Sequence, residues 1–270
     1  MWMNIKVQKA CAWGGAAFAL AFLIGFWVIA RFIPPPSPAS DAQQIANFFA
    51  QHQTGIRLGM IITMLAASLM APWIAVISIQ LKRIEGPFSP LAYAQLALGA
   101  ALMVEFLLPL MIWEAAAFRP TRSPEIVQFA NDVSWLTYVG LTSTGVAQAA
   151  VIAVAILSDR RAVPVFPRAV GYFNIWIALL FTPGSVNVFF KHGPLAWNGL
   201  IAWYLVLAAF SIWLPVMTWQ LIVAINRQAA DEPPTNNPDA DSEAVTLQLL
   251  AAELAEIRLR VARTQSMSPK

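Results

Sequence analysis

Six stretches of the sequence, near residues 11–33, 58–80, 91–117, 137–157, 169–190 and 199–225, are almost unbroken runs of apolar side chains. A hydrocarbon core about 30 Å thick is crossed by roughly 20 helical residues, so each run is long enough to span it. The pattern predicts an all-α fold, a polytopic transmembrane helical bundle of about six spans over residues 1–228. Reading residues 1–39 as a cleaved signal peptide fits less well, because the first run is longer than the apolar core of such a peptide.

Two segments between the runs carry their own helical pattern. After Pro34, Pro35, Pro36, Ser37 and Pro38, Ser40 is the expected N-cap of a helix through Ile45, Phe48, Phe49 and His52. After Ser123 and Pro124, the positions Ile126, Phe129, Val133 and Trp135 form an apolar stripe at helical spacing. Both are expected to lie at the outer membrane face as amphipathic helices.

Beyond the bundle the pattern changes. Residues 229–241, with Asp231, Glu232, Pro233, Pro234 and Pro238, are too polar and proline-rich to bury a core and predict a disordered linker. Over residues 242–264, Leu247, Leu250, Leu254, Ile257 and Val261 recur at intervals of three and four, the seam of a short cytoplasmic coiled coil. Residues 265–270 read as a disordered end. The seam could join copies of the chain or capture a partner helix; equally, Arg258, Arg260 and Arg263 could hold the same helix against the inner membrane surface.

Composition narrows the function classes. The chain is 59% hydrophobic and only 11% charged, with mean hydropathy +0.62, whereas a soluble chain has about a quarter of its residues charged. An ordinary cytosolic enzyme, a nucleic-acid binder and a disordered protein are all excluded, and membrane lipid is the expected surrounding. The formal charge of +3 hides an asymmetry, with a positive balance up to Gln228 and an excess of acidic residues beyond it. Lys6, Lys9, Lys82, Arg83, Arg160, Arg161, Arg168 and Arg227 fall on one side of the spans, and Arg31, Arg57, Arg119, Arg122 and Lys191 on the other. The positive-inside rule then places both termini in the cytoplasm. Trp13, Trp113, Trp135, Trp197 and Trp219 fall near span ends, where indoles suit the headgroup region. Cys11 is the lone cysteine, so an intramolecular disulfide is excluded.

Candidate chemistry centres on Glu105, an ionisable residue within the third run. Counted from Leu91 it lies about 21 Å along the span, in the outer half of the bilayer. Pro109, four residues on, removes the backbone hydrogen bond that the Glu105 carbonyl would accept. Thr142, Ser143, Thr144, Ser185, Asn187 and Tyr204 are expected at similar depth, and Thr182-Pro183-Gly184-Ser185 should break the fifth span there. Glu105, Thr144, Ser185, Asn187 and Tyr204 are thus the expected lining of a polar pocket open to the outside. The competing reading makes Glu105 interhelical glue, hydrogen-bonded to one neighbour. Arg57, Glu114 and Asp132 are expected to form a charge network at the outer interface.

His52 and His192, the two histidines, lack a spacing that brings two ligands onto one helix face, so no metal is expected. No cofactor motif and no paired nucleophile and base are visible, so no catalytic residue is assigned. The expected function is binding or passage of a small molecule or lipid through the outer-half pocket. The alternative is a non-transporting scaffold or complex subunit organised by the tail.

Arg57-Leu58-Gly59-Met60 after an outer helix, Phe118-Arg119-Pro120 followed by Asn131-Asp132, and Pro164-Val165-Phe166-Pro167-Arg168 leading to Gly171-Tyr172-Phe173-Asn174 resemble a family of small bacterial integral membrane proteins with no assigned activity. The resemblance covers roughly residues 10–226 and implies the bacterial inner membrane.

Overall fold

The computed structural model describes residues 2–119, 121–231 and Leu250. The chain divides into a unit over Trp2–Arg227 and a second made chiefly of residues 228–270. Among the described residues there are helices and no strand, and six helical segments are long and apolar enough to cross a membrane. They are Asn4–Ile29, Gln53–Glu85, Pro90–Phe118, Pro124–Ser158, Arg168–Phe189 and Leu200–Asp231.

The first segment is helix α1 (Trp2–Phe22) followed by a π-helical turn, Leu23–Ile29. Helix α2 (Ala42–Gln51) precedes α3 (Gln53–Ala67) and α4 (Met70–Glu85), and α5 (Pro90–Phe118) is the longest. Helices α6 (Pro124–Gly140) and α7 (Ser143–Ser158) share one segment, and α8 (Arg168–Phe181) continues as a 3-10 helix, Thr182–Phe189. A π-helical stretch, Leu200–Leu205, leads into α9 (Val206–Asp231).

The helix ends follow from local side chains. The α2 cap is Asp41, not the expected Ser40: its carboxylate accepts the Gln44 N–H, and the Gln44 side chain accepts the Asp41 N–H. Gln43, three residues after Ser40, donates instead to Asn47 at 2.9 Å, and the reciprocal capping box forms one residue later between Asp41 and Gln44. At α5 the Glu85 carboxylate accepts the N–H groups of Leu91 and Ala92 at 3.0 and 2.7 Å, satisfying two otherwise orphan donors beside a negative group that suits a helix start.

Small residues let the helices close. A Cβ on Gly59 of α3 would lie 2.3 Å from the Gly25 carbonyl oxygen, and one on Gly25 would lie 2.7 Å from the Gly59 oxygen, so the two backbones touch. Lipid tails are as apolar as the helices, so association rests on packing of this kind and on hydrogen bonds between helices. Gln80 donates to Gln8 at 2.8 Å across α4 and α1, and Arg83 to the Ala224 carbonyl of α9 at 3.2 Å. At the opposite end Gln53 donates to the Ala117 carbonyl, Gln128 to Ser40 and Trp197 to Pro36.

Three features differ from the sequence reading. The segment from Pro124 does not stop at Trp135 but runs to Gly140 and is followed directly by α7, and Val127, Asn131, Ser134 and Trp135 are buried. Trp113, Trp135 and Trp197 are buried inside the bundle, leaving Trp13 and Trp219 exposed; indole area packs as well against neighbouring rings as against headgroups. Helix α9 continues through Ala229, Ala230 and Asp231, the first residues of the expected linker. Of the expected seam, Leu250 is helical and exposed; Leu247, Leu254, Ile257 and Val261 lie outside the described residues.

The α7–α8 loop is tied by one buried carboxylate. Asp159 accepts from Arg161 Nε and Nη2 at 2.9 and 2.8 Å and from the Val165 N–H at 2.9 Å. The Arg161 hydrogen bond, aided by the backbone donors and opposed by burial, holds its pKa down to about 2. The unfolded value is about 3.9, so this contribution is complete above that pH and is lost as pH falls through about 2. The shift corresponds to about 2 kcal/mol of local stability. Amide exchange at Val165, normalised to intrinsic rates, is expected to lose protection between pH 5 and pH 2 in the parent chain. In Asp159→Asn protection should already be low at pH 5 and change little; an unaltered profile in that variant would show that the carboxylate does not hold the loop.

Candidate functional site

Regular helix breaks down at several points, and the breaks converge. Phe22 is the last residue before the first π-helical turn; Leu141 and Thr142 separate α6 from α7; Phe181 precedes the 3-10 helix; Trp203 lies in the second π-helical stretch. All five line one cavity of about 100 Å³, completed by Leu102, Phe106, Tyr138, Gly145, Val206, Leu207 and Phe210. Irregular backbone at membrane depth is tolerated where it is buried in protein or lines a cavity, and π-helical turns are frequent at functional sites.

The walls are chiefly aromatic. Tyr138 stacks on Phe26 with ring centres 5.3 Å apart and planes 13° apart, and meets Phe106 at 5.3 Å and Trp203 at 6.0 Å. Trp203 stands perpendicular to Trp135 at 5.4 Å, and Trp135 meets Trp113 at 4.8 Å. A smaller cavity of about 40 Å³ shares Leu102, Phe106 and Phe210 with the first and extends toward Phe18, Ala67, Met70 and Met103.

Glu105 and Thr144 are brought together. The Thr144 hydroxyl donates to Glu105 Oε2 at 2.5 Å, joining α5 to α7. Glu105 is half-buried between the exposed positions Val104 and Leu108, and it does not line the cavity, although Leu102, Phe106, Thr142 and Gly145 around the pair do. The other expected pocket residues sit elsewhere. The exposed Ser185 donates to the Thr182 carbonyl at 2.8 Å, closing its own turn. Asn187 is buried against Gly140. Tyr204 is half-buried, its N–H bonded to the Gly199 carbonyl. Polar side chains on the wall are therefore Tyr138 and Thr142, not the expected set of Glu105 with Thr144, Ser185, Asn187 and Tyr204.

The charged group at the opposite end of α5 is loose. Arg57 is the cation that acts on Glu114, and Lys191 the one that acts on Asp132. Arg57 itself lies over the Phe118 ring at 5.8 Å, and Asp132 accepts from Asn131 at 3.5 Å. His52 Nδ1 lies 3.0 Å from the Phe48 carbonyl and His192 is exposed, and among the described residues no three His, Cys, Asp or Glu side chains gather as a metal site.

Phe106, Tyr138, Phe181, Trp203 and Phe210 were not legible as cavity walls. The Thr182-Pro183-Gly184 string marked one break correctly, since proline and glycine announce themselves. The π-helical turns at Leu23–Ile29 and Leu200–Leu205 are ordinary apolar sequence and carry no such signal. No family model matches the chain, and no curated protein and no solved structure matches it either.

Proposed function

We propose that this chain is a multi-pass protein of the bacterial inner membrane, with both termini cytoplasmic, that binds a small apolar molecule or lipid inside its bundle. The observation that carries the reading is the convergence of the helix breaks on one aromatic cavity. Building such breaks into lipid costs backbone hydrogen bonds, and irregular backbone at membrane depth is tolerated where it is buried in protein or lines a cavity. The Glu105–Thr144 bridge joins α5 to α7 beside the cavity, on whose wall the polar side chains are Tyr138 and Thr142. The orientation rests on the basic loops Lys82–Arg83 and Arg160–Arg168.

Gly145→Leu tests this reading. A Cβ at Gly145 would meet the Phe181 ring at 3.3 Å, and Phe181 borders empty space into which it can yield, so a leucine side chain fills the cavity without parting helices. Protein purified in nanodiscs is expected to release a defined small molecule on organic extraction, at up to one per chain, and Gly145→Leu should release less than about a tenth as much with an unchanged Tm. Equal retention by the folded variant would refute binding at this cavity.

The tail carries a separate proposal. The exposed Leu250, with Leu247, Leu254, Ile257 and Val261, supports a helix with an apolar seam open to a partner helix.

A further inference from the structure

A separate cleft of about 20 Å³ lies at the Phe118 end of α5, where that helix meets α2 and α6. Its apolar lining includes Phe49, Ala116 and Val127, and its polar side chains are Gln53, Arg119 and Arg122. Each of the three is held in place by the end of α5. The Gln53 amide donates to the Ala117 carbonyl at 2.9 Å, and Arg122 Nη1 to the Ala115 carbonyl at 3.0 Å. These bonds satisfy two of the last carbonyls of the helix, and they leave one amide N–H and most of the guanidinium donors unused. The Arg119 guanidinium lies over the Phe118 ring at 5.7 Å and makes no bond to those carbonyls, so its charge is not taken up by the helix end. No Asp or Glu lines the cleft, and among the described residues neither arginine forms an ion pair. Pinned donors with uncompensated positive charge suit an anion.

Depth and shape indicate which anion. Helix α5 has 29 residues and is about 43 Å long, which matches the roughly 40–45 Å of a bilayer with its headgroups. Residues just past Phe118 therefore stand at the level of the lipid phosphates. The cleft is large enough for about one water-sized atom, so one phosphate oxygen can enter while the rest of the group stays at its mouth. The planar guanidinium fork matches phosphate geometry. Leu108, Met111, Ala115 and Phe118 are all exposed and recur at intervals of three and four, so an apolar stripe runs from the cleft along α5 toward the membrane centre. An acyl chain below a bound phosphate has that stripe to lie on. Two guanidiniums without a carboxylate repel a headgroup ammonium, whereas a polyol headgroup brings no opposing charge.

We infer that this cleft is a binding site for the phosphate of an anionic phospholipid of the phosphatidylglycerol type, with Arg119 and Arg122 as its cationic donors and the α5 stripe under its acyl chain. The test is native mass spectrometry of the delipidated full chain, titrated separately with phosphatidylglycerol and with phosphatidylethanolamine of the same acyl chains. Phosphatidylglycerol should bind more tightly, at one molecule per chain, and excess inorganic phosphate should not displace it. Arg119→Gln spares both bonds to the end of α5, so Tm should stay at the parental value while phosphatidylglycerol binds about 5-fold more weakly. Arg160→Gln, in the α7–α8 loop, and Gly145→Leu, in the aromatic cavity, should leave its affinity unchanged.

Parental phosphatidylglycerol affinity in a folded Arg119→Gln chain would overturn the proposal, as would equal affinity of the parent for the two lipids. Equal weakening by Arg160→Gln would reduce the binding to general attraction between the chain and anionic lipid, and weakening by Gly145→Leu would move the lipid to the aromatic cavity. Displacement by inorganic phosphate would make this a site for a soluble phosphate and remove the lipid from it.

Discussion

Gly59→Val is expected to cost the bundle about 3 kcal/mol, the upper part of the range for an overpacked site, whereas Leu58→Val, one residue away on the exposed side of α3, should change stability by less than about 0.5 kcal/mol. The difference lies in what each side chain meets. A Cβ at Gly59 would stand 2.3 Å from the Gly25 carbonyl oxygen, 2.9 Å from the Ala30 nitrogen and 2.8 Å from the Ala30 Cβ, and none of these can rotate away. Relief requires α3 and the first span to part along their whole crossing, including Gly55, where a Cβ would lie 2.6 Å from the Ile29 oxygen. The first span carries Phe18, Phe22 and Phe26, whose rings contact Phe106, Trp113 and Trp203, so separation also loosens the cavity wall. Reversible unfolding in mixed micelles measures the change. A Gly59→Val chain within about 1 kcal/mol of the parent would mean that the backbone contact is not what holds these helices.

The spans were legible in the sequence because lipid imposes a strong rule: every backbone polar group must be satisfied within a helix, and roughly 20 apolar residues in a row satisfy it. The side chains that make the cavity were not legible for the same reason. When both lipid and bundle interior are apolar, periodicity does not tell a packed residue from an exposed one, and Trp113 and Trp135, placed by sequence at the headgroups, are instead fully buried. Glu105 stood out as an ionisable residue in a span, and its partner Thr144 was among those expected at its depth, since polar residues are scarce enough in the spans for their depths to be matched. Ser185, Asn187 and Tyr204 were matched by depth too, but depth fixes neither rotation about the helix axis nor the local unwinding that turns Ser185 outward and Asn187 inward.

Trp213→Ala is expected to be the other severe substitution, at about 3–5 kcal/mol, and the one that links the stability of α9 to the cavity. Trp213 is fully buried, and its indole N–H donates to Asn174 Oδ1 of α8 at 2.9 Å. Asn174 in turn donates to the Val170 carbonyl at 2.8 Å and lies 3.4 Å from Met217 Sδ. The Trp213 ring stands perpendicular to Trp73 of α4 at 5.3 Å, while the Trp73 indole donates to Thr218 at 3.0 Å, so two tryptophans lock α9 to α4 and α8. In lipid no hydrophobic transfer term rewards burial, and the cost of truncation is lost dispersion contact and an interior void. Trp213→Phe separates that cost from the hydrogen bond, for it keeps a ring and strands Asn174. Combined with Asn174→Ala in a double-mutant cycle, it should give a coupling of about 1 kcal/mol, within the range for hydrogen bonds between membrane helices. Phe181 and Phe210 lie 6.2 and 6.3 Å from the Trp213 ring and form the cavity wall on their other side. Removing the indole takes away their backing, so Trp213→Ala should also lower ligand retention, whereas Asn174→Ala, which leaves every ring in place, should lower stability and leave retention unchanged. Retention that tracks stability equally in both variants would mean that the cavity simply reports folding, while loss confined to the ring deletion would establish the aromatic packing behind the wall as the element that keeps the cavity open.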